Sequence, residues 1–74
     1  MAANQPEHIE IVLNGEARAV PGDLSVLGLL NHIGVVPDRV AVELDRSIVR
    51  KPDWPNTTIR PGAQVEVVQF VGGG

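Results

Sequence analysis

The pattern of apolar residues predicts an α+β domain, a mixed sheet of four to five strands packed on one helix. Three observations lead there. Apolar residues alternate with period two near the start (Ile9, Ile11, Leu13) and again near the end (Val65, Val67). Between them Val26, Leu29, Leu30 and Ile33 recur at i, i+3, i+4 and i+7, one face of a helix. The length of 74 residues leaves room for one small core.

Residues 1–7 read as a flexible leader with His8 at its edge, 8–71 as the folded domain and 72–74 as a flexible glycine tail. The first strand alternates Ile9, Ile11 and Leu13 against Glu10, Val12 and Asn14. Asn14-Gly15 then predicts a two-residue hairpin turn, because both residues tolerate the positive φ of a type I′ turn. A returning strand over Glu16 to Val20 stops at Pro21-Gly22. Ser25 is placed to cap the helix, with Leu24 before it to meet Leu29. Gly28 at the third helical position removes the reciprocal capping-box partner and costs up to ~1 kcal/mol relative to alanine. Gly34 is the expected helix stop.

A third strand spans residues 39–44, with Val40, Val42 and Leu44 on one face. Asp45-Arg46 turns the chain into a short fourth strand at 47–50. Residues 51–62 hold three prolines and predict a loop with one helical turn. Trp54 is the large ring expected to anchor this loop on the core. Pro61-Gly62 leads into the last strand, "QVEVVQFV", expected beside the first and parallel to it. Its residues Val65 and Val67 face the core. The core is expected to contain Val26, Leu29, Leu30, Ile33, Val40, Val42, Val65 and Val67.

Composition narrows the chemistry. No cysteine is present, so disulfides, thiolate metal sites and cysteine nucleophiles are excluded. The net charge of −3 comes from scattered residues without a basic stripe, which argues against nucleic acid and mildly favours partners with basic surfaces. The start has neither a signal-peptide pattern nor a long apolar run, so a cytoplasmic, non-membrane chain is expected. His8 and His32 have no second ligand at metal spacing and read as surface histidines. Ser25 has no base to activate it and reads as a cap. Asp45, Asp53 and Glu66 lie on separate segments, with no carboxylate pairing. Neither phosphate-loop glycine motif occurs. These absences predict a protein that is not an enzyme and holds no metal or cofactor of its own.

Two features remain. Glu66, Val68 and Phe70 share the outer face of the last strand, and the apolar pair beside the tail reads as a partner-docking patch. Behind it the sequence runs "QFVGGG". Gly72 and Gly73 fit a narrow cleft where any Cβ would clash, and Gly74 would supply an α-carboxylate, charged at neutral pH and unreactive until activated.

The series "LNG", "LSVLGLLNHIG", "VAVE" at 40–43, the stretch from Ile48 to Trp54, and "VEVVQFVGGG" resembles, from Ile9 to Gly74, the ThiS family of sulfur-carrier proteins of thiamin biosynthesis. That family belongs to the ubiquitin-like β-grasp superfamily, so the resemblance implies a β-grasp fold. Two turns depart from the family's pattern, Asp45-Arg46 in place of an Asn-Gly-like pair and Gly62-Ala63 in place of Gly-Asp. The resemblance implies that a ThiF-type enzyme adenylates the Gly74 carboxylate with ATP and Mg. A sulfur donor protein then converts it to a thiocarboxylate, which delivers sulfur at a ThiG-type thiazole synthase. A MoaD-like sulfur carrier for molybdopterin synthesis and a non-covalent β-grasp binding module are the alternatives.

Overall fold

A computed structural model describes residues 7–70. The leader from residue 1 to 6, Val71 and the expected glycine tail lie outside the described residues. The expected leader ends at Glu7, and the expected folded domain begins at His8. His8 is the first residue of strand β1 (His8–Leu13), and the Glu7 carbonyl accepts from the Gly22 N–H at 3.0 Å.

β1 turns at Asn14 (φ 50°) and Gly15 (φ 84°) into β2 (Glu16–Pro21), pairing Leu13 with Glu16 and Ile9 with Val20. Both turn residues occupy the left-handed region, as a type I′ hairpin requires. The helix α1 (Val26–Ile33) follows. Ser25 caps it by accepting from the Gly28 N–H at 3.0 Å. At the other end Gly34 (φ 83°) donates to Asn31 O, and Val35 donates to Leu30 O, the paired bonds of a Schellman stop. A Cβ on Gly28 would stand 3.2 Å from Leu24 Cδ2, so the glycine makes room for the leucine folded over the helix start.

A single 3₁₀ turn, Pro37–Arg39, which the apolar pattern did not announce, leads into β3 (Val40–Leu44). β3 turns through Asp45 (φ 51°) and Arg46 (φ 72°) into β4 (Ser47–Val49). The turn is thus type I′-like without a glycine. Asp45 is tied to β5 (Gln64–Gln69): its N–H donates to Gln64 O at 2.7 Å, and its Oδ1 accepts from Gln64 N–H at 2.9 Å.

The expected single helical turn is a longer 3₁₀ segment, Lys51–Asn56. Pro55 cannot donate and would clash in an α-helix, which favours stacked 3₁₀ turns. Trp54 is buried beneath it, and its indole N–H donates to Val49 O at 2.8 Å. Lys51 also forms an ion pair with Asp38, clipping this segment to the first 3₁₀ turn.

The five strands lie in the order β2-β1-β5-β3-β4. β1 and β5 are parallel and the other pairs antiparallel. The core unites Val26, Leu29 and Leu30 of the helix with Ile9, Ile11, Leu13, Val20, Val40, Val42, Val65 and Val67 of the sheet. Ile33, expected in the core, is only half-buried. It is the last helical residue beside the exposed Gly34 stop, so only part of its side chain packs inward.

Ile59 was not expected inside. It is buried because the segment around it pairs with the start of the helix: Val26 N–H donates to Thr57 O, and Ile59 N–H to Leu24 O. The Pro61-Gly62 turn (Gly62 φ 82°, Ala63 N–H to Arg60 O at 3.0 Å) then delivers the chain to β5.

Candidate functional site

Val65 and Val67 are buried, so the alternation of a strand turns Glu66 and Val68 to the face opposite the helix. β5 ends at Gln69, one residue short of Phe70. Phe70 nevertheless continues the strand's register, because its N–H donates to Arg39 O at 2.8 Å. All three candidate docking residues are exposed, Val68 at 55% and Phe70 at 59% of their full surface.

Register adds two residues to this face that were not among the expected docking residues. Glu43 stands opposite Glu66 on β5 and opposite Ile48 on β4. Ile48, Glu43 and Glu66 therefore form one row across the outer face, and Ala41 and Val68 form the next. Ile48 is the most open large apolar residue described, at 71%. Its place was readable: a two-residue turn at Asp45-Arg46 sets Ile48 against Glu43, while Val49 falls with buried Val42. The result is an apolar trio, Ile48, Val68 and Phe70, interleaved with two carboxylates. Like charges directly opposite in a sheet are destabilising, so Glu43 and Glu66 do nothing for the fold as a pair. Arg46 shares an open groove on this face with both of them and with Val12 and Gln64.

The other titratable candidates stay apart. His8 and His32 are exposed at opposite ends of β1 and α1, and Asp45 and Asp53 sit on different turns. No group of three potential metal ligands gathers among the described residues. Ser25 is engaged as the helix cap. Gly72, Gly73 and Gly74 lie outside the described residues.

Residues 11–74 match the family model described as the ThiS family. The crystal structure of a thiamine biosynthesis protein (ThiS) from Geobacter metallireducens matches with a TM-score of 0.78 and 32% identity, covering 89% of this chain and 100% of that one. A solution structure of a thiamine biosynthesis protein from the same organism matches at TM-score 0.76. Among curated proteins, a thiazole synthase of Paramagnetospirillum magneticum is 36% identical over 66 residues. These cover 89% of this chain, which spans only about one fifth (20%) of that protein's length. The thiazole synthase of Magnetococcus marinus matches similarly, at 35% identity and 20% of its length. An uncharacterized protein, ycf40, of Porphyra purpurea is 31% identical, over 92% of this chain and 96% of its own. The mixed five-stranded sheet with its helix is a β-grasp fold, and the chain belongs to the ThiS family.

Proposed function

We propose that this chain is a sulfur carrier for thiazole formation in thiamin biosynthesis, acted on by partner enzymes and not itself an enzyme. The observation that carries this is the family match, which runs through the β-grasp sheet to Gly74 itself. In the first step a Gly74 carboxylate oxygen attacks the α-phosphorus of ATP, held with Mg in a ThiF-type adenylating enzyme. The α–β phosphoanhydride breaks and pyrophosphate leaves. A sulfur donor supplying sulfur at the level of hydrosulfide then attacks the acyl carbon. The bond to AMP breaks and a thiocarboxylate remains.

Gly72 and Gly73 carry that end into two different clefts, where the absence of a Cβ lets the backbone approach the reacting groups closely. The receiving enzyme is a ThiG-type thiazole synthase. Support comes from the curated thiazole synthases that contain, within their own length, a stretch similar to most of this chain. The docking face is the row pair described above: Ile48, Val68 and Phe70 supply apolar area, while Glu43 and Glu66 select a basic rim on the partner. The cycle uses ATP and belongs in the cytoplasm; no helix among the described residues is long and apolar enough to cross a membrane.

The test is the intact mass of the protein isolated from its native host. A fraction heavier by the exchange of one oxygen for one sulfur, mapped to Gly74, is expected. Its absence, with the unmodified chain co-purifying with a partner that never alters the terminus, would favour the binding-module alternative instead.

A further inference from the structure

We propose that Asn14 is a modification site, a latent deamidation centre that the seam between β1 and β5 keeps closed. This role is independent of the carrier reading above. In an Asn-Gly pair the glycine nitrogen meets no side chain of its own residue on its way to the asparagine carboxamide. It attacks Cγ, the bond from Cγ to the carboxamide nitrogen breaks, and ammonia leaves with the proton of the glycine amide. A five-membered succinimide remains. Water then opens the ring at one carbonyl to give aspartate, or at the other to give isoaspartate, in which the main chain runs through the former side chain. Either product has exchanged a carboxamide NH2 for a carboxylate oxygen and carries one more negative charge. Water is the only co-reactant.

Access to Asn14-Gly15 is open. Both residues are exposed, and a Cβ on Gly15 would meet nothing within 4 Å. Geometry is what holds the reaction back. With Asn14 at φ 50° and Gly15 at φ 84°, the turn is type I′, whose first central residue has ψ of roughly 30°. Ring closure needs Cγ and the Gly15 nitrogen nearly eclipsed about the Cα–C bond, and that ψ holds them apart. The carboxamide is also occupied at both ends. Its Oδ1 accepts from Val67 N–H at 2.8 Å, and its Nδ2 lies 3.4 Å from Val67 O. The backbone N–H can only donate, so chemistry fixes which end of the amide faces it. Asn14 N–H donates to Val65 O at 2.8 Å, which anchors the main chain on β5 as well.

Every one of these side-chain bonds reaches 53 positions along the chain, so the carboxamide is protected only while β5 is in place. The parallel ladder there is short: Val12 stands against Gln64 and Leu13 against Val65, and then β1 turns away into β2. One local opening of that seam frees Oδ1, Nδ2 and the turn together. The two products then differ. Aspartate keeps an acceptor for Val67 N–H. Isoaspartate adds a methylene to the main chain of a two-residue turn, which disturbs the pairing of Leu13 with Glu16 and moves the carboxylate to another atom. Conversion to isoaspartate is therefore one-way, because the altered turn cannot rebuild the seam that protected it.

The test follows the full, unaltered chain in mildly alkaline buffer, from no urea to fully denaturing urea. Peptide mapping separates asparagine, aspartate and isoaspartate. Asn31 and Asn56, followed by His32 and Thr57, serve as internal references. In full denaturant Asn14 should convert faster than either reference. In the folded chain it should convert at least about tenfold more slowly than in denaturant, since two hydrogen bonds must first be released. Below the unfolding transition, Asn14 conversion and amide exchange at Val67 should accelerate together, because one opening frees both. The isoaspartyl species, separated by ion exchange, should lose protection at Val67 and melt below the unaltered chain, while Asn14→Asp keeps most of both. Equal Asn14 rates in folded and denatured chain would overturn the proposal. So would Asn14 trailing either reference in denaturant, Val67 exchange rising while Asn14 conversion stays flat, or an isoaspartyl species with full protection at Val67.

Discussion

Replacing Phe70 with aspartate separates docking from folding. Phenylalanine buries about 150–250 Å² when enclosed. With 59% of its surface open, roughly 90–150 Å² remains for a partner to cover, worth roughly 2–4 kcal/mol at ~25 cal/mol per Å². Ordering the side chain takes back about 0.5–1.5 kcal/mol. Aspartate forfeits the remainder and sets an unpaired carboxylate into an apolar contact. The expected loss of affinity for the adenylating enzyme is at least about tenfold, which is ~1.4 kcal/mol. Folding should hardly notice. Phe70 lies one residue past β5 and leaves no cavity, and substitutions at such sites stay within about 0.5 kcal/mol. For a domain of this size that moves the melting temperature by no more than about 4 °C. Isothermal titration beside a thermal melt decides it. Unchanged affinity together with a large drop in melting temperature would put Phe70 in the core and remove the docking face.

Leu30 is fully buried on the helix, so Leu30→Ala should cost about 2–5 kcal/mol in a denaturant titration, while a loss below about 0.5 kcal/mol would contradict its place in the core. Arg46→Gly should stabilise the fold by about 0.5–1 kcal/mol, since a side chain at φ 72° costs about 1–2 kcal/mol and the entropy of glycine returns only part. Arg46→Ala keeps the strained φ, and an equal gain from it would show that the turn geometry is not the cause. The hydrogen bond from Lys51, together with its positive charge, holds the Asp38 carboxyl below its ordinary value. A lowered folded value means the ion pair stabilises above the unfolded carboxyl's range, near ~3.9, and stops doing so as pH falls through the folded one. Melting curves of Asp38→Asn should therefore lie slightly below those of the unaltered chain at neutral pH and merge with them at the acid end. A gap that widens on acidification would reverse the sign of that assignment.

Much of the fold was legible because local chemistry and long-range packing agree. Ile9, Ile11 and Leu13 alternate and are buried, Asn14-Gly15 makes the predicted turn, and Ser25 and Gly34 bound the helix. What stayed hidden depends on contacts distant in sequence. Ile59 stands in a polar, proline-rich stretch without periodicity, and it is buried only because Thr57 and Ile59 bond to the helix entry. Asn14 announced a turn, yet its bonds to Val67 span 53 positions and leave no local trace. Ile48 is a different case: the hairpin register already implied its outward place beside Glu43. Of the candidate site, the exposure of Glu66, Val68 and Phe70 could be read from alternation alone. The glycines could not be read through folding physics, because the use proposed for them lies in another protein's cleft.

The central claim is that Gly74 supplies the carboxylate that is activated. Amidating that terminus by peptide ligation removes the attacking oxygen and leaves every described strand untouched, which circular dichroism can verify. With a ThiF-type enzyme and ATP, the free-acid chain should support pyrophosphate exchange and the amide should support none. Equal exchange from the two would mean that Gly74 is not the activated group, and the carrier mechanism would be wrong.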